Sequence, residues 1–472
     1  MTDGLLETPF ALACLTVLAA AAAVVLFQLS VVRPRLGLYT LFALAPTQFI
    51  FVPVGSFFLS PADVVVLACA AGLVARLASG SPEARAAVRL HVMLGIMIAA
   101  YLIGFVILDH FSRTLVRLPL AFVPSILACE LLERREHFTR AIAALIVAAL
   151  LDAGYGLFFI ALGQPLHPTR FSGMMGVNFS AMVILTGAAM AFAVLARTRE
   201  PMKLGLPAVL ALLAVATLSR AGLVAFLLAG GLVLWKIATA TNRRLVVAAA
   251  TICFSVVVSH DGVRERVLAR TRPQLQQDGV ERTSGDVRVR ILEVAWRALD
   301  EQPFVGVGFF NFQRYSTRDP EIQRSTLGLG YATHNTYLEV LAEGGVLAFV
   351  PFLLHFFSYG ERSRRAFVVM LREQDVSVAA ALSGFTVVMV TAWAVNLLFL
   401  YLFWSVCGLA LACIVRPGGR IYPTDSHGAL PLQPDIVGCE DSFRASPGLS
   451  SLRHVQLAHR STTLGTGSMS VA

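Results

Sequence analysis

The chain has 472 residues, of which 57% are hydrophobic and 14% charged, with a formal net charge of +9. A mean hydropathy of +0.72 lies far above the range of soluble globular domains and excludes that class. The positive charge does not indicate nucleic-acid binding, because the basic residues lie in short loops rather than on one soluble domain. The composition therefore predicts an integral membrane protein.

Apolar segments recur along the chain at about the 20-residue length that an α-helix needs to cross a bilayer. Their approximate bounds are 10–32, 36–55, 57–76, 90–109, 113–132, 139–163, 177–196, 202–219, 221–239, 243–260, 338–358, 377–396 and 397–415. Pro46, Pro53 and Pro61 interrupt the second and third segments, which are either two spans or one span and a re-entrant piece. Because lipid-facing backbone must satisfy its own hydrogen bonds, we expect an all-α polytopic membrane protein of about 12 to 13 transmembrane helices.

Basic residues fall in every second loop of this span order, which predicts the side of each loop. Examples are Arg76, Arg85 and Arg89 in one loop and Arg362, Arg364, Arg365 and Arg372 in another. The positive-inside rule makes these loops cytoplasmic. The loops 164–176, 219–221 and 261–337 and the turn near residue 396 are then extracytoplasmic.

The chain divides into four predicted regions. Residues 1–260 carry the N-terminal transmembrane helices, 261–337 form one large extracytoplasmic catalytic loop, and 338–416 carry the C-terminal transmembrane helices. Residues 417–472 are rich in Pro, Gly, Ser and Thr and are expected to be a disordered cytoplasmic tail. The seven cysteines show no paired spacing, so we expect neither a disulfide framework nor a structural metal.

The large loop contains an amphipathic segment. Helical spacing of apolar residues predicts a helix over 287–300, whose apolar positions are Val287, Ile291, Val294, Ala295, Ala298 and Leu299. Such a helix could lie on the membrane surface, and Arg290, Glu293 and Arg297 mark its polar face. Pro303 then ends the helix, and two glycines at 306 and 308 predict a tight link.

A histidine and an asparagine precede the next membrane helix. Thr336 and Glu339 have the spacing of a capping box, which starts this helix near Thr336 and leaves His334 and Asn335 just ahead of it. A cap at Thr333 is the alternative. Free N–H groups and the positive end of the helix dipole make this position suited to an anion such as phosphate. Since histidine also titrates near neutral pH, the motif offers both anion binding and base chemistry.

Several motifs together carry a family resemblance. They are Leu-Ser-Arg-Ala-Gly at 218–222, Arg288 and Arg290 ahead of Trp-Arg-Ala-Leu at 296–299, Pro-Phe-Val-Gly-Val-Gly at 303–308, Thr-His-Asn-Thr-Tyr-Leu at 333–338, and Glu-Gly-Gly at 343–345. In this order and spacing, over residues 205–350, the chain resembles the O-antigen ligase and polymerase family of bacterial surface polysaccharides.

The resemblance implies a membrane glycosyltransferase of the GT-C kind. Such an enzyme moves a glycan from undecaprenyl pyrophosphate to an acceptor hydroxyl at the outer face of the bacterial inner membrane. The acceptor is lipid A-core in a ligase and another carrier-linked repeat in a polymerase, and membrane lipid and polysaccharide-assembly proteins are further expected partners. The family's usual reaction needs no metal or other cofactor and inverts the anomeric carbon.

The family's functional residues map onto His334, onto Arg220 and onto an arginine at the start of the loop helix, which is either Arg288 or Arg290. Guanidinium groups that grip a pyrophosphate would stabilise the charge that develops as it leaves. His334 then acts either as the general base or as a ligand of the second phosphate. These four residues are the predicted catalytic set.

Three further residues are predicted to bind substrate: Arg170, which resembles a family arginine in the loop 164–176, Asn335 and Arg297. Glu339 and Glu343 are interpreted as helix-end structure. Asp152, buried within a span, is expected to pair with a polar group of a neighbouring helix.

Two other functions remain as alternatives. One is a protein O-oligosaccharyltransferase, which uses the same donor with a Ser or Thr acceptor. The other is a polysaccharide transporter or flippase, which usually places charged residues inside its spans and its binding site at the midplane. The candidate charges here collect on one outer surface, which favours an enzyme.

Overall fold

A computed structural model gives the fold of part of the chain. It describes residues 25, 27–50, 52–54, 57–108, 115, 117–167, 171–197, 200–217, 219–229, 237–244, 247, 251, 274–275, 281–282, 284–325, 330–373, 375–398 and 400–414. Several predictions lie outside the described residues: most of the first span, the span at 243–260, the first part of the large loop, and the C-terminal tail.

Helices dominate the described residues, and two very short antiparallel hairpins are added to them. The helices are α1 (Pro34–Leu44), α2 (Pro61–Ala78), α3 (Pro82–Leu90), α4 (Val92–Leu108), α5 (Arg117–Leu131), α6 (Arg135–Ala161), α7 (Val177–Leu195), α8 (Gly205–Ala216), α9 (Arg220–Ala229), α10 (Ser284–Glu301), α11 (Phe312–Ser316), α12 (Pro320–Ser325), α13 (Thr336–Glu373), α14 (Val376–Thr391) and α15 (Tyr401–Ile414). The strands are β1 (Val52–Val54), β2 (Phe57–Leu59), β3 (Gln274–Leu275) and β4 (Glu281–Arg282), which pair as β1 with β2 and β3 with β4.

The expected all-α polytopic membrane fold is confirmed. Among the described residues, four helices are long and apolar enough to cross a membrane: Pro61–Ala78, Arg135–Ala161, Val177–Leu195 and Thr336–Phe357. The pair α3 and α4 passes the same test when taken together and is bent by 59°, so it forms either a fifth, broken span or a re-entrant loop. Shorter apolar helices, including α14 and α15, accompany them.

The predicted helix over 36–55 is wrong as a continuous span. Helix α1 ends at Leu44, a 3-10 helix follows over Ala45–Phe49, and the hairpin of β1 and β2 comes next. Pro46 lies in the 3-10 turn and Pro53 in β1, and a proline in either place cannot donate the backbone hydrogen bond that an α-helix needs. The chain re-enters a helix only at Pro61.

The predicted amphipathic helix of the loop is confirmed as α10. Its apolar positions Ile291, Val294, Ala295 and Ala298 are buried in a small core that also contains Phe312. The opposite side carries exposed charged residues, so the 3.6-residue period of the sequence is the period of burial.

Helix α13 begins at Thr336 and is interrupted at Gly345. The backbone angles there, a φ of 58° and a ψ of −165°, are not helical. The break frees backbone groups that an intact helix would pair. The link 303–308 pairs with them: Val307 N–H donates to Ala342 C=O at 2.9 Å and Gly308 N–H to Glu343 C=O at 3.0 Å. In return Val346 N–H donates to Pro303 C=O at 2.9 Å.

Gly306 and Gly345 are both required because the link 303–308 approaches the backbone of α13 closely. A side chain at Gly306 (φ 64°) would overlap the backbone of Glu343, and one at Gly345 would overlap the backbone of Phe304. The predicted tight link is therefore confirmed, and four backbone hydrogen bonds tie it to the membrane helix, the fourth running from Leu347 N–H to the carbonyl of Phe304.

Small residues allow the membrane helices to pack closely around the start of α13. Helix α14 packs against α7, where Gly384 faces Met190, and α15 packs against α5, where Gly408 faces Ser125. This packing brings the first residues of α7 near the segment 392–400, which joins α14 to α15.

Candidate active site

Asn335 caps the helix that follows His334. Its side-chain Oδ1 accepts hydrogen bonds from the N–H groups of Tyr337 at 2.9 Å and Leu338 at 3.1 Å, which is the geometry of an N-cap. The helix begins at Thr336 as predicted, but the expected capping box of Thr336 and Glu339 is wrong. The hydroxyl of Thr336 instead donates to Val395 C=O at 2.7 Å.

His334 occupies an unusual backbone position at this helix start. Its φ of 52° lies in the left-handed region, which non-glycine residues adopt rarely and at an energetic cost. The side chain reaches solvent. Partial desolvation by the surrounding protein, and second the positive charge of Arg288, lower the pKa of His334 from its ordinary 6.5. Both effects favour the neutral form of the imidazole.

Arg288 has an exposed side chain, and its positive charge acts on the imidazole of His334. The predicted catalytic residues at the loop helix and at the start of α13 are therefore neighbours, although they are 46 positions apart in sequence.

Arg290 has different surroundings from Arg288. Its guanidinium binds the buried carboxylate of Asp319 with two nitrogens, at 3.2 and 2.7 Å, and also pairs with Glu293 at 2.7 Å. Arg297 reaches the same Asp319 at 3.5 Å. Although burial alone would raise the pKa of Asp319, its hydrogen bond with Arg290 lowers it. Arg290 and Arg297 thus stabilise the loop through one shared carboxylate.

A cavity of about 400 Å³ opens beside His334. Separate parts of the chain form its walls: the start of α7, the turn before α11, the start of α13, and the segment after α14. The lining residues are Met175, Gly176, Val177, Asn178, Phe179, Phe310, Gln313, Ala332, Thr333, His334, Glu339, Glu343, Val395 and Asn396. The cavity therefore combines an apolar wall with several amide and carboxylate groups.

The two acidic residues of this cavity differ in their contacts. Glu343 accepts hydrogen bonds from the backbone N–H groups of Phe310 at 2.8 Å and Phe312 at 3.1 Å, which agrees with the predicted structural role. Glu339 is equally buried, and Asn396 is its hydrogen-bond partner. Its Oε2 has no partner within the part of the chain that the structure describes. Glu339 and Asn396 thus line the candidate site, although the sequence motifs did not predict them as site residues.

The side chains of two predicted site arginines, Arg220 and Arg170, lie outside the described part of the chain. Arg220 is the first residue of α9, and only its backbone is described. The glycine two positions later, Gly222, faces Leu185 of α7, so the start of α9 lies against the helix that lines the cavity. Arg170 lies outside the described residues.

Part of the chain is similar to a known protein family. The family model of O-antigen ligases matches residues 206–353. The resemblance predicted from the sequence motifs is thereby confirmed over this part of the chain, which is similar to O-antigen ligases. No curated protein matches the chain. The match supports a multi-pass membrane glycosyltransferase of the O-antigen ligase or polymerase type.

The residues that match the family model do not form the cavity alone. His334, Glu339 and Glu343 lie within the matched residues, whereas the walls from Met175 to Phe179 and at Asn396 lie outside them. Membrane helices on both sides of the matched region therefore complete the site.

Asp152 fixes one of these outer walls. Its Oδ1 accepts a hydrogen bond from Met175 N–H at 3.3 Å, and its carboxylate fills the space that a side chain at Gly173 would need. Gly173 N–H in turn donates to Ser180 Oγ at 3.0 Å. Asp152 thus pairs with the turn that leads into α7 and, as expected, with a polar group of that neighbouring helix, the hydroxyl of Ser180.

Proposed function

We propose that this protein transfers a glycan from an undecaprenyl pyrophosphate carrier to a hydroxyl group of an acceptor, at the outer face of a bacterial inner membrane. The observation that carries the proposal is the position of His334 at the edge of a cavity and directly before the first turn of a membrane helix, where the positive charge of Arg288 acts on its imidazole. An exposed guanidinium, a neutral imidazole and a helix N-terminus together suit a pyrophosphate.

In this proposal Arg288 grips the donor pyrophosphate and His334 donates a hydrogen bond to it. Arg220, at the start of α9, contributes a second guanidinium, and Arg170, Asn335 and Arg297 remain candidate contacts to the substrates. Negative charge grows on the pyrophosphate as its bond to the sugar breaks, so fixed positive groups stabilise the transition state more than the bound donor. The proposed reaction needs no metal ion, because arginines supply this charge.

The region 261–337 is proposed as the catalytic loop between the membrane regions 1–260 and 338–416, with 417–472 as a tail. The distribution of polar groups favours an enzyme over a transporter. Thr333, Asn396 and Glu339 lie around the first turn of α13 at one end of that helix, rather than midway along a span. Carbohydrate binding also fits a cavity whose walls mix amides, carboxylates and aromatic rings.

The proposed activity can be tested with the natural donor. Deletion of the gene should make carrier-linked glycan accumulate in the source cells, because its consumption is blocked. This material, added to the purified protein in nanodiscs with an acceptor fraction, should yield transferred glycan and free undecaprenyl pyrophosphate. A ladder of longer glycans would indicate a polymerase, and one addition to lipid A-core a ligase. Failure of wild-type protein to consume any carrier-linked glycan would contradict the proposal.

The side of the membrane is a separate prediction. A cysteine at the exposed Gln323 in α12 should react with a membrane-impermeant maleimide added to intact spheroplasts. A cysteine at the exposed Glu83 of α3 should react only after the membrane is permeabilised, since the neighbouring basic loop is expected inside. The reverse labelling pattern would place the cavity in the cytoplasm.

A further inference from the structure

Glu339 is a buried carboxylate on the cavity wall. It lies in the first turn of α13, five residues after His334, and only 4% of its surface is exposed. A carboxylate in such a place is costly unless it is paired or has a chemical role. The two edges of the Glu339 carboxylate have different surroundings.

One edge of the Glu339 carboxylate contacts a short series of hydrogen-bonded side chains. The hydroxyl of Thr333 donates to Asn396 Oδ1 at 3.0 Å, which turns the amide nitrogen of Asn396 towards Glu339. Asn396 is fixed from a second direction, because Thr336, at the helix start, bonds to the backbone of Val395 and Leu397 on either side of it. Thr333 and Asn396 are thus positioning residues for the carboxylate.

The other edge of the carboxylate has no such contact. Within the described part of the chain, Glu339 Oε2 has no hydrogen-bond partner, and Glu339 lines the cavity. Glu343, one turn later, offers a comparison in the same cavity, since backbone N–H groups occupy both of its oxygens. Of these two acids, only Glu339 keeps an oxygen free to receive a proton.

We propose that Glu339 Oε2 binds the attacking hydroxyl group of the acceptor sugar and takes its proton. This inference rests on the proposed function. The acceptor oxygen forms the new bond to the anomeric carbon, the bond from that carbon to the carrier pyrophosphate breaks, and the pyrophosphate leaves with the electron pair. The hydroxyl proton passes to Glu339, so atoms and charge balance. His334 and Arg288 serve the leaving group, and Glu339 serves the nucleophile.

The test compares Glu339→Gln with Glu343→Gln in purified full-length protein. Glutamine at 339 keeps the shape of the side chain and an oxygen for Asn396, but it cannot accept the proton. We expect Glu339→Gln to lose transfer of carrier-linked glycan by about 100-fold or more, the usual contribution of a general base. Its affinity for undecaprenyl pyrophosphate should equal that of wild type. Thermal stability should fall more for Glu343→Gln, because that change removes an acceptor of a backbone N–H.

Two further variants sharpen the result. Glu339→Asp retains a carboxylate and should recover part of the lost transfer, and Asn396→Ala should lower the rate while leaving carrier affinity unchanged. Transfer by Glu339→Gln within about threefold of wild type would overturn the assignment, and so would a parallel loss of carrier affinity. Wild-type protein is scored first, so an inactive wild type removes the proposed function, whereas an active wild type with an active Glu339→Gln removes only this inference.

Discussion

Replacing His334 with alanine is expected to lower glycan transfer by about 100-fold or more while the protein remains folded. The physical reason is the place of the imidazole at the start of α13, where partial desolvation and the positive charge of Arg288 favour its neutral form. A neutral imidazole can donate a hydrogen bond to the departing pyrophosphate. Alanine removes that donor and leaves the proposed arginines to bind the pyrophosphate without it.

The left-handed backbone at residue 334 calls for a matched variant. Asparagine tolerates positive φ better than most residues, so His334→Asn removes the imidazole with little added backbone strain. Transfer and affinity for undecaprenyl pyrophosphate should fall in both variants, whereas thermal stability should be nearer wild type in His334→Asn. If carrier affinity stays unchanged while transfer is lost, His334 acts on the acceptor hydroxyl instead and the division of roles with Glu339 is wrong.

Substitution of Arg288 by glutamine is expected to weaken binding of undecaprenyl pyrophosphate by about 10- to 100-fold, since a charge-assisted contact to a phosphate contributes about 1.5–3 kcal/mol. Stability should change little, because the Arg288 side chain is exposed. Arg288→Lys should recover only part of the affinity, as lysine cannot bind two phosphate oxygens with one planar group.

Arg290→Gln is the matched control on the same helix, two residues away. Its loss leaves the buried carboxylate of Asp319 with weaker pairing, so the midpoint of thermal unfolding should fall, with a cost of about 1–3 kcal/mol. Carrier affinity should be nearly that of wild type in the protein that remains folded. The opposite pattern, with Arg288→Gln unstable and Arg290→Gln unable to bind the carrier, would assign the family arginine to position 290.

Local patterns in the sequence predicted the parts of the fold that depend on local structure. Helix α10 follows from apolar residues at helical spacing, and the start of α13 follows from the polar residues ahead of an apolar run. The interruption of the second span was visible as prolines, but a 3-10 turn and a hairpin cannot be told from a membrane span by hydropathy alone. The packing of nearby chain segments, rather than composition, determines whether such residues form a turn and a hairpin or a continuous helix.

Candidate site residues could be predicted from the sequence where they lie in recognisable motifs. His334 and Asn335 stood out because they adjoin a helix start. The cap was assigned to the wrong residue because Thr336 bonds to a segment about 60 residues later, which no local pattern reveals. Asn396 was missed for the same reason. A possible signal for Glu339 was present, since Glu339 and Glu343 are spaced by one helical turn in an apolar span.

The break at Gly345 makes the loop and the membrane helix a single folding unit. Since each supplies the backbone partners that the other lacks, neither is complete when expressed alone, and a soluble fragment of the loop should not reproduce the cavity. The free energy needed to order the cavity residues is spent once, during folding, and not again at each catalytic cycle. Under the proposed function, selectivity between glycans is therefore expected to follow from the shape of the cavity more than from closure around the substrate.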